Sequence, residues 1–126
     1  MSHEDLTTAR DVAIGNKDVE ALVALVTDDF QLTVKKTVYT GKQEYRDYLI
    51  EYFEQNDIVD ATCERLETYP FEVSNDIMVN GRCVYTLIDT KLIMGEWSET
   101  RTLINDTWKV SKAEYTFYVL YPPGPP

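Results

Sequence analysis

The chain has 126 residues, of which 44% are hydrophobic and 27% charged, a composition typical of one globular domain. Twelve Lys and Arg residues against 22 Asp and Glu residues give a net charge of −10. This charge argues against nucleic-acid and membrane-surface partners, because both require a cationic face. The longest apolar run, residues 21–26, is far shorter than the roughly 20 residues of a membrane-spanning helix.

The single histidine and the two cysteines limit the available chemistry. His3 lies three residues from the start of the chain, where we expect fraying, so a histidine-based catalytic set or a zinc site is disfavoured. Cys63 and Cys83 lie in separate strand-like segments without CxxC spacing. No apolar segment typical of a signal peptide follows Met1. We therefore expect a cytoplasmic protein with reduced thiols, no cofactor and no metal.

The first half of the chain predicts two short helices, a pair of strands and a longer helix. Apolar residues recur at helical spacing over residues 6–14 and 19–26, whereas residues 30–34 alternate as in a half-buried strand. Thr40 and Gln43 have the spacing of a capping box, in which each side chain bonds the other's backbone N–H. The helix that follows carries one continuous apolar face, formed by Tyr45, Tyr48, Leu49, Tyr52 and Phe53.

The second half of the chain is predicted to be β structure. Residues 61–69 form a strand that Pro70 interrupts, which indicates a sheet edge or a bulge. Further strands are expected over residues 77–89, 91–94, 95–104 and 108–121, with a tight turn at Asn105-Asp106. Three helices followed by long hairpins predict an α+β domain over residues 1–121. The Pro-rich tail 122–126 is either a disordered end or a docking segment for an aromatic groove.

Three segments, in this order and spacing, resemble the NTF2-like superfamily, and SnoaL-like and DUF4440-like small proteins in particular. The first is Gly15-Asn16-Lys17-Asp18-Val19-Glu20-Ala21-Leu22 followed by Asp28-Asp29-Phe30, and the second is Tyr39-Thr40-Gly41-Lys42 before a helix. The third is residues 97–103 with Trp108-Lys109-Val110, which is similar to the family's closing hairpin.

The resemblance implies a cystatin-like cone, in which three N-terminal helices pack on a strongly curved antiparallel β-sheet around a pocket. It also implies a homodimer formed through the outer sheet face. The superfamily includes ketosteroid isomerases, scytalone dehydratases, polyketide cyclases and many proteins without known activity, so the fold does not give the function. The His and Ser that related proteins carry on the last strand correspond here to Glu114 and Thr116, so a histidine-based role does not carry over.

Strand alternation selects candidate pocket residues. If Trp108 and Val110 face the core, then Glu114 and Thr116 share their side of the last strand. Trp97 and Arg101 share one side of the preceding strand, and Tyr48 and Tyr52 point from the long helix. The predicted ligand pocket is therefore formed by Tyr48, Tyr52, Trp97, Arg101, Trp108 and Thr116, with Glu114 as a candidate catalytic carboxylate.

Three interpretations remain open. In the first, an aromatic pocket binds a small apolar or weakly acidic molecule and requires a cavity of roughly 300–1,000 Å³. In the second, the protein is an interaction module with a filled interior and an apolar sheet surface, and Glu114 and Arg101 are simply a cross-strand ion pair. In the third, Glu114 is the base of an isomerase or cyclase and a tyrosine is the hydrogen-bond donor.

Overall fold

The computed structural model describes residues 2–120, so the Pro-rich tail predicted at 122–126 lies outside the described residues. Three helices and six strands follow one another along the chain. They are α1 (Asp5–Gly15), α2 (Val19–Val23), β1 (Val26–Val34), β2 (Thr37–Thr40), α3 (Gly41–Gln55), β3 (Ile58–Pro70), β4 (Ile77–Leu87), β5 (Leu92–Ile104) and β6 (Thr107–Leu120). No helix among these residues is long and apolar enough to cross a membrane.

The six strands form one sheet in the order β2-β1-β6-β5-β4-β3. The predicted α+β class is confirmed, but the sheet is mixed because β1 and β6 pair in parallel. Every other neighbouring pair is antiparallel. No hairpin joins β1 to β6, so no turn forces these two strands to run in opposite directions.

Local signals in the sequence are mostly confirmed. Asn105 and Asp106 have φ of 50° and 63° and form the turn between β5 and β6, as expected for a tight hairpin. Strand β3, which ends at Pro70, is one of the two edge strands of the sheet and contains two register shifts. The predicted capping box does not form, because the Thr40 side chain makes no cap hydrogen bond. Instead, the Thr40 backbone N–H donates to Glu44 Oε1 at 3.2 Å.

The sheet has two different faces. The helix-covered face carries the core, which includes Phe30, Leu32, Val79, Tyr85 and Trp97, all at most 3% exposed. We call the opposite side the open face. An apolar row crosses it, because Val84 pairs with Met94 and Met94 pairs with Tyr118.

A β-bulge at Ser111 changes the face to which the end of β6 points. Thr100 pairs with Lys112 and Arg101 pairs with Val110, which leaves Ser111 as an extra residue in β6. Such an insertion reverses the alternation beyond it. The Ser111 hydroxyl donates to the Thr100 carbonyl at 3.3 Å and accepts from Thr102 Oγ1 at 3.1 Å, which ties the bulge to β5.

The bulge overturns the predicted orientation of two site residues. Val110 and Ala113 are buried, whereas Glu114 and Thr116 lie exposed on the open face. The prediction that Glu114 and Thr116 face the interior is therefore wrong.

The two cysteines form a disulfide, which contradicts the expectation of reduced thiols. Cys63 of β3 lies directly opposite Cys83 of β4, with a Cα–Cα distance of 4.0 Å. Cysteines that are 20 residues apart in the sequence become neighbours because the hairpin joining β3 and β4 folds back between them. The cytoplasmic location stays a prediction.

Candidate functional site

An aromatic cavity lies between α3 and the helix-covered face of the sheet. Its free volume is about 40 Å³, well below the roughly 300–1,000 Å³ expected for a ligand pocket. It therefore has room for no more than a few water molecules. The apolar face of α3 forms one wall, and side chains of β1, β4 and β6 form the other. The lining residues are Arg10, Ile14, Leu22, Leu32, Tyr45, Tyr48, Leu49, Tyr52, Phe53, Tyr85, Tyr115 and Phe117.

The tyrosines of this cavity are hydrogen-bond donors rather than bases. Burial raises the pKa of Tyr45, Tyr48, Tyr52 and Tyr85 above the ordinary tyrosine value, so each hydroxyl keeps its proton at neutral pH. The hydroxyl of Tyr52 is buried and has no hydrogen-bond partner among the described residues. It is therefore a donor still available to a ligand.

A buried ionic network, which we call the Arg–Glu cluster, lies at the base of the cavity. Arg10 Nη1 donates to Glu99 Oε2 and, at 2.7 Å, to the hydroxyl of Tyr115. That hydroxyl donates in turn to Glu99 Oε2 at 3.0 Å. Arg101 Nη2 donates to Glu99 Oε1 at 3.0 Å and to Thr7 Oγ1 at 2.7 Å. One carboxylate therefore holds two guanidinium groups, each belonging to a different layer of the fold.

Arg10 is the charged member of this cluster that lines the cavity, beside the ring of Tyr115. Burial alone lowers its pKa, but the Glu99 carboxylate outweighs that effect and raises the pKa above the ordinary arginine value, so Arg10 stays charged. Its guanidinium carbon lies 4.3 Å from the ring centroid of Trp97, in cation–π contact. Its Nε and Nη2 atoms are buried without a hydrogen-bond partner among the described residues.

The structure brings four of the predicted pocket residues near one another. Tyr48 and Tyr52 line the cavity. Trp97 packs beneath the Arg10 guanidinium. Arg101, which is 0% exposed, belongs to the Arg–Glu cluster; burial lowers its pKa although the Glu99 carboxylate opposes this.

The other predicted residues lie elsewhere. Glu114 pairs in register with Ser98 on the open face, so the expected contact between Glu114 and Arg101 is absent. Thr116 lies on the same open face. Trp108 packs at the far end of the sheet against His3, with ring centroids 5.7 Å apart. His3 is half-buried rather than frayed, because its carbonyl also accepts a hydrogen bond from Arg101.

The functional residues that the sequence analysis missed are Arg10, Glu99 and Tyr115. Arg10 lies on the buried side of α1, four residues after Leu6 and four before Ile14. Helical spacing therefore places it on the same face as these two apolar residues. Glu99 alternates with Trp97 and Arg101, which was already a signal that it shares their face. Tyr115 follows Glu114 on β6, so plain alternation from Val110 would place it on the open face; the bulge at Ser111 turns it to the helix-covered face instead.

Among residues 2–118, one group of side chains has oxygen and sulfur atoms close enough together to hold a metal ion. The ligand atoms of Asp11, Cys63 and Cys83 lie within 4.8 Å of one another. A metal binds the thiolate form of cysteine, whereas these sulfurs form a disulfide. The cluster in this oxidised state is therefore unsuited to a metal.

Solved structures share this architecture at low sequence identity. A ketosteroid isomerase-like protein from Erwinia carotovora atroseptica superposes with a TM-score of 0.76 and 18% identity, covering 90% of this chain and 92% of its own. An NTF-2-like protein of unknown function from Shewanella oneidensis superposes with a TM-score of 0.73 and 14% identity, covering 90% of this chain and 94% of its own. The chain has the NTF2-like fold. A cystatin-like protein of unknown function from Nostoc punctiforme agrees, with a TM-score of 0.75, 12% identity and coverage of 91% and 87%.

Sequence comparisons add nothing to the structural likeness. No protein-family model matches the chain, and no curated protein matches it in sequence. The narrower resemblance to SnoaL-like and DUF4440-like proteins stays a prediction.

Proposed function

We propose that this NTF2-like protein binds a small organic acid in its aromatic cavity, with the acid group on Arg10. The observation that carries the proposal is the pair of unpartnered donors, Nε and Nη2 of Arg10, on a side chain that lines an apolar cavity. A buried donor without an acceptor costs about 1–3 kcal/mol, more when it is charged. A carboxylate or other oxyanion removes that cost by accepting both hydrogen bonds.

The charge of the Arg–Glu cluster supports an anionic ligand. Two arginines share the single carboxylate of Glu99, so the hydrogen-bonded cluster carries an excess positive charge in a nearly dry environment. The rings of Tyr48, Tyr52 and Phe117 supply the apolar surroundings for the rest of the ligand. The Tyr52 hydroxyl is a further donor for a polar substituent.

The size of the cavity limits the ligand. A free volume of about 40 Å³ admits only a compact acid unless side chains at the mouth move. Tyr48, Tyr52 and Phe53 are only partly buried, so they are the side chains whose rotation enlarges the cavity. We therefore expect affinity to depend strongly on the size of the apolar group.

The lining favours binding over acid–base catalysis. No Asp, Glu or His is found among the described residues of the cavity wall. Glu99 is the nearest candidate base, but both of its oxygens already accept hydrogen bonds from guanidinium groups and are therefore engaged within the protein. A catalytic role for Glu114 is not supported by its position on the open face.

The proposal is tested by calorimetric titration of the protein with acetate, pivalate and benzoate, each compared with its uncharged amide. We expect the acids to bind and the amides to bind at least tenfold more weakly, because only the acids neutralise Arg10. Replacing Tyr52 by Phe should weaken binding of hydroxylated benzoates about five- to tenfold, the loss of one hydrogen bond. The exposed Tyr69 gives the matched control, Tyr69→Phe, which should bind as wild type does.

Equal affinity for acids and amides would contradict the proposed role of Arg10. Absence of binding across the whole series would reject the proposal. Native mass spectrometry of protein purified from its own cells provides an independent test, since a reproducible small adduct identifies the natural ligand class.

We further propose that the protein forms a homodimer through the open face. The apolar row of Val84, Met94 and Tyr118 supports this, since Tyr118 is 49% exposed in the single chain. The open face also carries both signs of charge, such as Lys112 and Glu114, in a chain whose net charge of −10 opposes association elsewhere.

The dimer is tested by light scattering and native mass spectrometry of the variant Met94→Lys. Because the change places a charge in the centre of the apolar row, we expect the dissociation constant of the dimer to rise at least tenfold. Thr8→Lys, at an exposed position of α1, is the control and should leave the dimer unchanged. A wild-type protein that remains monomeric at high concentration would refute the dimer while leaving the ligand proposal intact.

A further inference from the structure

The Cys63–Cys83 disulfide lies at the edge of the sheet beside a half-buried carboxylate. Cys63 belongs to the edge strand β3 and is half-buried, whereas Cys83 lies one strand further in and is 1% exposed. The Asp11 carboxylate reaches this pair from α1, and one of its oxygens lies within 4.8 Å of both sulfurs. This cluster is separate from the aromatic cavity, whose lining residues include neither cysteine.

The backbone around Cys63 fixes the position of Asp11. The Cys63 N–H donates to Asp11 Oδ2 at 3.0 Å, so this N–H points away from β4. Cys63 and Cys83 are therefore a non-hydrogen-bonded pair, the type in which opposite residues approach most closely, and their Cα atoms are 4.0 Å apart. The other carboxylate oxygen, Oδ1, is buried and has no hydrogen-bond partner among the described residues.

We propose that this cluster is a thiol–disulfide exchange site, in which Asp11 delivers a proton to Cys83 on reduction and takes it back on oxidation. The partner is a dithiol, small enough or extended enough to reach the sheet edge. The unpartnered Oδ1 is the atom that carries the proton, because Oδ2 is already engaged with the backbone of β3.

The reduction balances with the dithiol as the reductant. One thiolate of the dithiol attacks Sγ of the more exposed Cys63, the S–S bond breaks, and its electron pair leaves on Sγ of Cys83. The Asp11 carboxyl protonates that thiolate. The second thiolate of the dithiol then attacks the mixed disulfide, releases Cys63, which takes a proton from water, and departs as a cyclic disulfide. The protein gains two electrons and one proton from water, because the proton on Cys83 comes from its own Asp11, which is left as a carboxylate. The dithiol loses two electrons and releases both of its thiol protons to water.

The surroundings of Asp11 suit a group that exchanges a proton. Burial raises the pKa of Asp11 above the ordinary aspartate value. The Cys63 N–H and the charge of Arg10 oppose this effect, whereas the charges of Asp60 and Glu99 add to it. The groups that face Asp11 from the surrounding elements are thus Arg10 on α1, Asp60 and the Cys63 N–H on β3, Tyr85 on β4 and Glu99 on β5.

The test measures how fast dithiothreitol reduces the disulfide of the folded, full-length protein as a function of pH. Free thiols are trapped and counted by mass spectrometry, and each rate is divided by the concentration of dithiothreitol thiolate. We expect the corrected rate constant to be high at acidic pH and to fall at least tenfold as pH rises through the titration of Asp11. The fall follows because only the protonated carboxyl supplies the proton.

The variant Asp11→Asn removes the proton donor but keeps the hydrogen bond, since the amide oxygen of Asn still accepts from the Cys63 N–H. Its corrected rate should be at least tenfold lower at acidic pH and independent of pH. Glu64→Gln is the matched control, because Glu64 follows Cys63 on the exposed side of β3, and it should retain the wild-type profile. Circular dichroism verifies that each variant is folded.

Two results would overturn the proposal. The first is a disulfide that dithiothreitol reduces only as fast as the protein unfolds, which marks a purely structural bond. The second is a corrected wild-type rate that does not change with pH, and this result decides the question even if Asp11→Asn does not fold. Neither result bears on acid binding in the aromatic cavity.

Discussion

Replacing Glu99 by Gln should lower the free energy of unfolding by about 3–5 kcal/mol, the typical cost of leaving buried charges without their partner. Glu99 is 3% exposed and is the only carboxylate bonded to Arg10 and Arg101 within the described part of the chain. The amide of Gln keeps the shape of the side chain but removes its charge. Two buried guanidinium groups then face each other across a neutral group.

Urea denaturation followed by tryptophan fluorescence measures this loss. Glu96→Gln is the matched control, because Glu96 lies exposed three residues earlier on β5, and we expect a change of less than about 0.5 kcal/mol. If Glu99→Gln lowered the free energy of unfolding no more than Glu96→Gln does, the Arg–Glu cluster would contribute little to the stability of the fold. The triple variant Arg10→Met, Glu99→Leu and Arg101→Met should lose less stability than Glu99→Gln, because removing all three charges together leaves no buried charge without a partner.

The change Gly81→Ala should destabilise the protein by about 3 kcal/mol or more, at the upper end of what overpacking usually costs. A Cβ at Gly81 collides with the ring of Trp97 on β5 and with the backbone carbonyl of Glu64 on β3. The carbonyl belongs to the sheet and has no rotamer to change. Relief of the collision therefore requires β3 and β4 to separate, close to the disulfide.

Thermal unfolding monitored by circular dichroism tests this prediction. Gly15→Ala at the end of α1 is the control, because a Cβ there meets no atom within 4 Å. We expect this control to stabilise the helix by up to about 1 kcal/mol. A Gly81→Ala protein as stable as wild type would mean that Trp97 can leave its position above Gly81 at little cost.

The sequence predicted the elements whose signals are local. The apolar face of α3, the turn at Asn105-Asp106 and the edge position of the strand ending at Pro70 each depend on neighbouring residues only, and all three are found. The parallel pairing of β1 with β6 depends on how distant segments meet, and no local pattern reports it.

The candidate site was only partly predictable. Tyr48 and Tyr52 follow helical spacing, which no insertion disturbs, so their position on the cavity wall could be deduced. Glu114 and Thr116 were misplaced by one extra residue, Ser111, because strand alternation has a period of two and any insertion inverts it. Nothing in the sequence marks Ser111 as a bulge.

Two further features of the sequence report on the tertiary structure. Cys63 and Cys83 are nearly equidistant from the loop between β3 and β4, as residues paired across a hairpin are to within one residue when a bulge intervenes. Arg10 interrupts the apolar face of the first helix between Leu6 and Ile14. A long cation on that face predicts a buried partner, although the identity of that partner depends on the tertiary structure.

The pairing of β1 with β6 also sets the order in which the chain acquires its structure. Strand β1 finds its inner neighbour only when residues some 80 positions later arrive, and Arg10 of α1 meets Glu99 and Tyr115 across 89 and 105 residues. Such distant contacts close late and slow the search for the native state. During folding, the inner edge of β1 and the Arg10 side of α1 therefore stay without these partners until the hairpin of β5 and β6 has formed.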